Sequence, residues 1–249
     1  YANISQNYRA INFTDLRIAN PNFVVDSNIR DERGFTADLG FRGQKDGFFT
    51  WELTAFYVAY NGRIGQVLRA DQPPLYNDYR FRSNISDARN IGLEAFAEVN
   101  ILRLFGRKNA DLRWTWFINT AFVDARYVDT DDASVRNKKV EMAPPLMLRS
   151  GTSLQQGSWK AAIQAGYIAS HFSDATNAER TSTAVEGRIP SYWVADLSLS
   201  YHWRWLQLEG SCNNLFDTRY FTRRAESYPG PGIIPSDGRG MYVTLGVRI

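Results

Sequence analysis

The segment "YWVADLSLSYHW", residues 192–203, places Trp193, Ala195, Leu197, Leu199, Tyr201 and Trp203 on one side of an extended chain. Tyr192, Val194, Asp196, Ser198, Ser200 and His202 fall on the other. This is a two-residue period, the mark of a β-strand with one apolar and one largely polar face. The apolar side begins and ends in tryptophan, with a tyrosine one step inside. Trp193 and Trp203 stand about 33 Å apart along a strand, or roughly 23 Å in height if it tilts by about 45°.

That height matches the apolar band of a membrane β-barrel, about 25 Å, with aromatic girdles at both rims. A strand in a soluble sandwich is typically about 5–6 residues long. The alternation recurs. "MYVTLGVRI" (241–249) sets Met241, Val243, Leu245, Val247 and Ile249 against Tyr242, Thr244, Gly246 and Arg248. "WKAAIQAGYIASH" (159–171), "LEAFAEVNI" (93–101) and "GFTADLGFR" (34–42) repeat it, whereas 50–60 and 112–123 are apolar on both faces.

About ten strands are expected: 1–9, 34–43, 48–62, 84–102, 110–126, 145–156, 159–172, 191–203, 205–217 and 240–249. The connections between them alternate in length. Residues 44–47, 103–109, 157–158 and 204 make short ones; 10–33, 63–83, 127–144, 173–190 and 218–239 make long ones. Outer-membrane barrels have this asymmetry, with tight periplasmic turns and long extracellular loops. The fold expected is therefore all-β, an antiparallel transmembrane β-barrel. No run of eighteen apolar residues marks a membrane helix, and an alternating strand does not need one.

Composition bounds the rest. Seven Trp, thirteen Tyr and fifteen Phe are consistent with girdles. A net charge of +3, from 29 basic and 26 acidic residues, gives no reason to expect nucleic acid as a partner. Cys212 is the single cysteine, so neither a disulfide framework nor a cysteine metal site is expected. His171 and His202 lie far apart and lack ligand spacing. No nucleophile–base arrangement is visible, and "PGPG" (229–232) lacks the Lys-Ser/Thr of a phosphate loop.

Several segments together resemble the C-terminal part of a TonB-dependent outer-membrane receptor. "SQNYRA" (5–10) is similar to the aromatic-Arg segment entering an extracellular loop, and "RNIGLEAFAEV" (89–99) to the family's Gly-x-Glu strand. "GRIPSYWVADLSLSY" (187–201) followed by "GSCNNLFDTRYFTRRA" (210–225) resembles its closing hairpin with the Asn-Asn-Leu-Phe-Asp signature. "YPGPGIIPSDGRGMYVTLGVRI" (228–249) resembles its last loop and closing strand. Within the family this tail looks most like ferric-citrate and other ferric-siderophore receptors.

The resemblance implies a Gram-negative outer-membrane transporter and a barrel of about 22 strands, of which residues 1–249 supply the C-terminal part. A plug domain and the first barrel strands would lie upstream of Tyr1. The family usually ends on an aromatic residue, and this sequence ends on Ile249. The implied partners are a ferric chelate, outer-membrane lipids, TonB through the upstream region, and in some cases a surface lipoprotein. No cofactor is implied, because iron would arrive already chelated.

Candidate ligand residues sit in the last long connection, "YFTRRAESYPGPGIIPSDGR" (220–239). Arg223 and Arg224 could grip an anionic chelate, since guanidinium pairs with carboxylates in two parallel bonds. The plainer reading is that they pair with nearby acids such as Glu226 and Asp237, or simply solvate the loop. Tyr228 and Arg239 are further candidates. The prolines and glycines from Tyr228 to Pro235 favour a defined turn, either a ligand lid or a loop folded against its own wall. Arg248 suits contact with a plug. Glu94, Glu98, Asp196 and Glu209 read as ordinary polar lumen residues, and Asn213, Asn214 and Asp217 as residues shaping a strand end.

Import of another bulky nutrient, such as a cobalamin or an oligosaccharide, is the alternative within transport. A soluble β-sandwich or lectin-like module, and an outer-membrane protease or lipase, are the readings from other classes.

Overall fold

One short turn shows how this sequence builds hairpins. Lys45-Asp46-Gly47-Phe48 closes with a Phe48 N–H to Lys45 carbonyl bond of 3.0 Å, and both central residues have positive φ, 46° and 64°. That geometry matches the twist of the flanking strands, and Asp-Gly adopts it at little steric cost. Similar short reversals follow at 157–158 and 204–205.

The computed structural model describes residues 1–18, 21–70, 78–107, 111–130, 132–181, 184–225 and 232–247. Its strands are β1 (Ala2–Arg9), β2 (Phe23–Val25), β3 (Glu32–Lys45), β4 (Phe49–Ala70), β5 (Asp78–Asn100), β6 (Leu112–Asp129), β7 (Leu146–Gln156) and β8 (Trp159–Ile168). There follow β9 (His171–Phe172), β10 (Arg188–Ile189), β11 (Tyr192–Trp203), β12 (Leu206–Asn213), β13 (Phe221–Ala225), β14 (Gly232–Pro235) and β15 (Gly240–Val247). Two single-turn helices, α1 (Phe13–Leu16) and α2 (Ile101–Leu104), sit in connections.

Ten strands form one antiparallel meander in the order β1-β3-β4-β5-β6-β7-β8-β11-β12-β15, and β2 joins β5 in parallel. All ten expected strands are present, and the sheet is open, with β1 and β15 at its edges. Register carries the alternation across it. Asp196 faces Gln164, Gln164 faces Gly151, Gly151 faces Phe117, and Phe117 faces Glu98. One face is therefore a polar belt that includes Glu94, Glu98, Asn119, Arg149, Gln164 and Asp196. It also takes in Phe56, Phe96 and Phe117, which explains the segments that read as apolar on both sides.

The opposite face is apolar and exposed, from Leu39 at 67 % to Val243 at 77 %. Aromatic pairs mark both of its rims. Trp159–Tyr201 (4.3 Å) and Phe49–Trp51 (5.1 Å) lie at the tight-turn end, Trp193–Phe216 (5.2 Å) and Phe35–Tyr57 (5.5 Å) at the other. The serine and threonine hydroxyls that β6 and β7 place on this face are satisfied locally. Ser150 donates to the Phe117 carbonyl (2.9 Å), Thr120 to Met147 (3.1 Å) and Thr152 to Thr115 (3.0 Å). Trp114 Nε1 donates to the Thr152 hydroxyl at 2.8 Å. A surface facing hydrocarbon needs this, because lipid offers no replacement partner.

Four expectations are corrected. Residues 63–83 are not one long connection: β4 continues to Ala70 and β5 begins at Asp78, past a register shift between Tyr60 and Ile64. Residues 159–172 divide into β8 and the short β9, which pairs with β10, and the strand expected over 205–217 ends at Asn213. The last connection contains its own hairpin, β13 with β14.

The β4–β5 arm beyond the bulge organises the long connections. Arg63 pairs with Glu141 (3.3 Å), Arg69 with Asp132 (3.5 Å) and Arg80 with Glu186 (3.2 Å), each from a different part of the later connections. Beneath these bridges lies an apolar core of Val67, Ile85, Ala88, Ala125, Tyr127, Val135, Val140 and Ala175. Tyr127 is fully buried, and its hydroxyl donates to Glu141 at 2.5 Å.

Candidate functional site

The last connection is anchored where "NNLFD" leaves β12. Asn214 is buried and takes a left-handed backbone (φ 50°), which Asn tolerates better than most residues. Its N–H donates to Asp196 Oδ1 at 2.9 Å, fixing it to the polar wall. Its side chain accepts from the Thr218 N–H (2.8 Å) and donates to the carbonyls of Thr218 (3.0 Å) and Asp237 (3.3 Å). One side chain thus ties both arms of the connection together.

Asp217, also at positive φ (52°), accepts from the Arg239 N–H at 3.0 Å. That bond, helped by the charges of Arg219 and Arg239, holds its carboxyl below the usual carboxylate range. The expectation that Asn214 and Asp217 shape a strand end through backbone contacts matches this geometry.

Arg223 and Arg224 point to different surroundings. The Arg224 guanidinium reaches across to the preceding connection and donates to the carbonyls of Ala184 (2.6 Å) and Arg188 (2.9 Å). It also covers the Phe221 ring at 5.2 Å. Burial lowers its pKa against the pull of Asp174, though guanidinium stays charged at any working pH. Its partners are carbonyl oxygens rather than the Asp237 carboxylate.

Arg223 is exposed beside a cavity of about 270 Å³ shared with Arg224, Glu141, Asp174 and Glu186. The Arg239 side chain is exposed nearer Asp217. Tyr228, Glu226 and Arg248 lie outside the described residues. The structure therefore separates Arg224, held by its own protein, from Arg223 and Arg239, which are exposed.

A larger cavity, about 540 Å³, opens on the polar face below this hairpin. Glu94, Asn119, Arg149, Gln164 and Asp196 form its wall, and Tyr192, Tyr220 and Thr222 its upper rim. Tyr192 and Tyr220 stack at 4.6 Å with 25° between their planes. Gln164 donates to Asp196 at 3.3 Å. Arg149 is exposed, and among the described residues its guanidinium makes no ion pair or hydrogen bond.

Sequence reasoning did not single out Arg149, Tyr192 or Tyr220. The available signal was that Arg149 is the one cation on the polar side of "LMLRSGTSL" (146–154). Glu209 faces the same side farther down, bonded by Gln207. His171 is buried against the Ala169 carbonyl, while His202 lies near the tight turns. Among the described residues no group of three or more His, Cys, Asp or Glu could hold a metal ion.

The family model for the β-barrel of TonB-dependent receptor-like proteins matches residues 1–215. The chain belongs to the TonB-dependent receptor family. It is an outer-membrane β-barrel chain of the kind found in Gram-negative bacteria.

Solved structures share its fold. The ferric citrate transporter FecA in its unliganded form is 21 % identical, over 88 % of this chain and 32 % of that one, with a TM-score of 0.69. The copper transporter OprC is 16 % identical over 99 % and 36 %, with a TM-score of 0.74. The ferric yersiniabactin uptake receptor FyuA from Yersinia pestis is 18 % identical over 99 % and 34 %, with a TM-score of 0.71. The receptor chain spans about a third of the length of these structures. Among curated proteins none matches it in sequence.

Proposed function

We propose that this chain is part of the wall of a TonB-coupled importer that captures an anionic ferric chelate at the long-connection mouth. The observation that carries the reading is Arg149, an uncommitted guanidinium on the polar face beside the Tyr192–Tyr220 stack. In a half-enclosed site such a group strongly favours an acceptor-rich anion, and its planar fork matches a carboxylate. Arg223 and Arg239 would extend that attraction outward and speed encounter. Arg224 would hold the rim in place. Coupling to TonB and a plug within the lumen follow from the family and complete the cycle in this reading.

The test is ligand titration of the complete receptor with ferric citrate, ferric siderophores of other classes, a cobalamin and neutral oligosaccharides. Arg149→Ala should weaken binding of a ferric chelate about 10- to 100-fold, the range for one charge-assisted contact. Undiminished chelate affinity in that variant would overturn the site assignment. The Tyr192–Tyr220 stack gives an oligosaccharide reading its one specific support, because sugars dock on aromatic faces. Saturable oligosaccharide binding with no response to ferric chelates would establish that alternative.

A further inference from the structure

On the outward side of the sheet, at the long-connection end, three cations stand in one row. Arg89 on β5 lies directly opposite Arg126 on β6, and Arg126 forms an isolated antiparallel bridge with Lys139. Opposed residues share a face. The period-2 pattern places that face outward, since Arg89 precedes the exposed Ile91 by two positions and Arg126 follows the exposed Phe122 by four. The neighbouring Ala125, Tyr127 and Val140 turn inward to the apolar core.

Like charges directly opposite one another destabilise a sheet unless something neutralises them. The protein neutralises only one. Asp124 accepts from Arg126 Nε at 2.8 Å. Among the described residues, the Arg89 and Lys139 side chains make no ion pair or hydrogen bond.

The height of the row is informative. Ile91 is paired with Tyr57, which belongs to the aromatic rim with Phe35. Two residues further along the strand is about 7 Å, or about 5 Å of height at a 45° tilt. Polar head groups occupy a layer about 5–8 Å deep on each side of the hydrocarbon. The row is about 10 Å wide, two strand spacings.

We propose that Arg89, Arg126 and Lys139 form a docking site on the barrel's outer wall for the phosphates of an anionic lipid head group. The lipid is one in the leaflet on the long-connection side. The commitment to a lipid rather than a free anion rests on continuity. The row sits directly above the exposed apolar band, so a molecule whose phosphates reach it has acyl chains lying along Ile91 and Phe122. The inference depends on outer-membrane placement and not on which nutrient is carried.

The test uses the complete receptor in nanodiscs, titrated with diphosphorylated lipid A. Each juxtamembrane cation contributes a factor of roughly five in affinity. Combining Arg89→Gln with Lys139→Gln should therefore weaken binding about 30-fold and flatten its salt dependence. The charge-preserving pair Arg89→Lys with Lys139→Arg should stay within about threefold of the parent. A folded barrel band on unboiled gels confirms that each variant is intact. Unchanged affinity in the double glutamine variant, or equal binding of dephosphorylated lipid A, overturns the proposal. So does inorganic pyrophosphate binding the detergent-solubilised receptor as tightly as lipid A does.

Discussion

Replacing Asn214 by alanine should release the last connection without unfolding the sheet. The side chain makes three hydrogen bonds, at 2.8, 3.0 and 3.3 Å, to groups on both arms of that connection. At about 1 kcal/mol net for each, with the longest contributing least, the loss is about 2–3 kcal/mol. Alanine must also hold the left-handed backbone, which glycine does at no steric cost, so Asn214→Gly should recover about 1 kcal/mol of the damage. Asn214→Asp keeps the acceptor for Thr218 and loses both donations, and should fall between.

The assay is hydrogen exchange, read at two amides that Asn214 does not touch. These are Ser236 N–H, bonded to the Tyr220 carbonyl, and Arg239 N–H, bonded to Asp217. If the clamp joins the arms, both should exchange roughly 30- to 150-fold faster in Asn214→Ala, the equivalent of about 2–3 kcal/mol of local opening. Protection within about threefold of the parent at both, with Thr218 alone affected, would refute the clamp.

Arg224→Lys should behave almost like Arg224→Ala, because one ammonium cannot reproduce a fork reaching the Ala184 and Arg188 carbonyls. Limited proteolysis of the last two connections should accelerate about tenfold or more in both, at the ~1.5–3 kcal/mol typical of charged bonds. Asp217 has a depressed pKa, so its stabilising bond to Arg239 is complete above the usual carboxylate range and is lost as pH falls through the lower folded value. Protection of the Arg239 amide should therefore persist at mildly acidic pH and disappear only below the ordinary carboxylate pKa of 3.8; Asp217→Ala should abolish that dependence. A methyl group at Gly34 would collide with the Ala59 carbonyl oxygen, whereas one at Gly210 meets nothing within 4 Å. Gly34→Ala should cost about 1–3 kcal/mol or more and reduce the yield of folded barrel on unboiled gels, while Gly210→Ala should not.

The strands were legible because a two-residue period survives any choice of outward residue, and a one-residue slip would have turned Trp193 and Trp203 to the polar side. The β4–β5 arm was not. Its residues, among them Arg63, Gln66, Arg69, Arg80 and Arg82, stand above the lipid where neither face is required to be apolar, so they read as loop. The loop core was hidden for a related reason. Tyr127 at the end of β6, Val135 and Val140 in the connection that follows it, and Ala175 in the next one converge without a shared spacing.

The Asn214 and Asp217 anchors were visible because turn chemistry is written in local residue types. The role of Arg224 was not, since its partners are carbonyl oxygens, which every residue possesses. Arg149 was obscured by being one polar residue among many on an alternating strand.

The apolar core beneath the long connections also bears on how the exposed end can change over generations. It gives that end two layers, a packed interior and a solvent-facing skin. Exposed residues on its skin, such as Ala133 and Lys138, can be exchanged at little structural cost. Tyr127, Val135 and Val140 cannot, because each is buried in the core that β4, β5, β6 and two later connections share. Sequence change at this end is therefore expected to concentrate on the skin and leave the layer's shape unchanged.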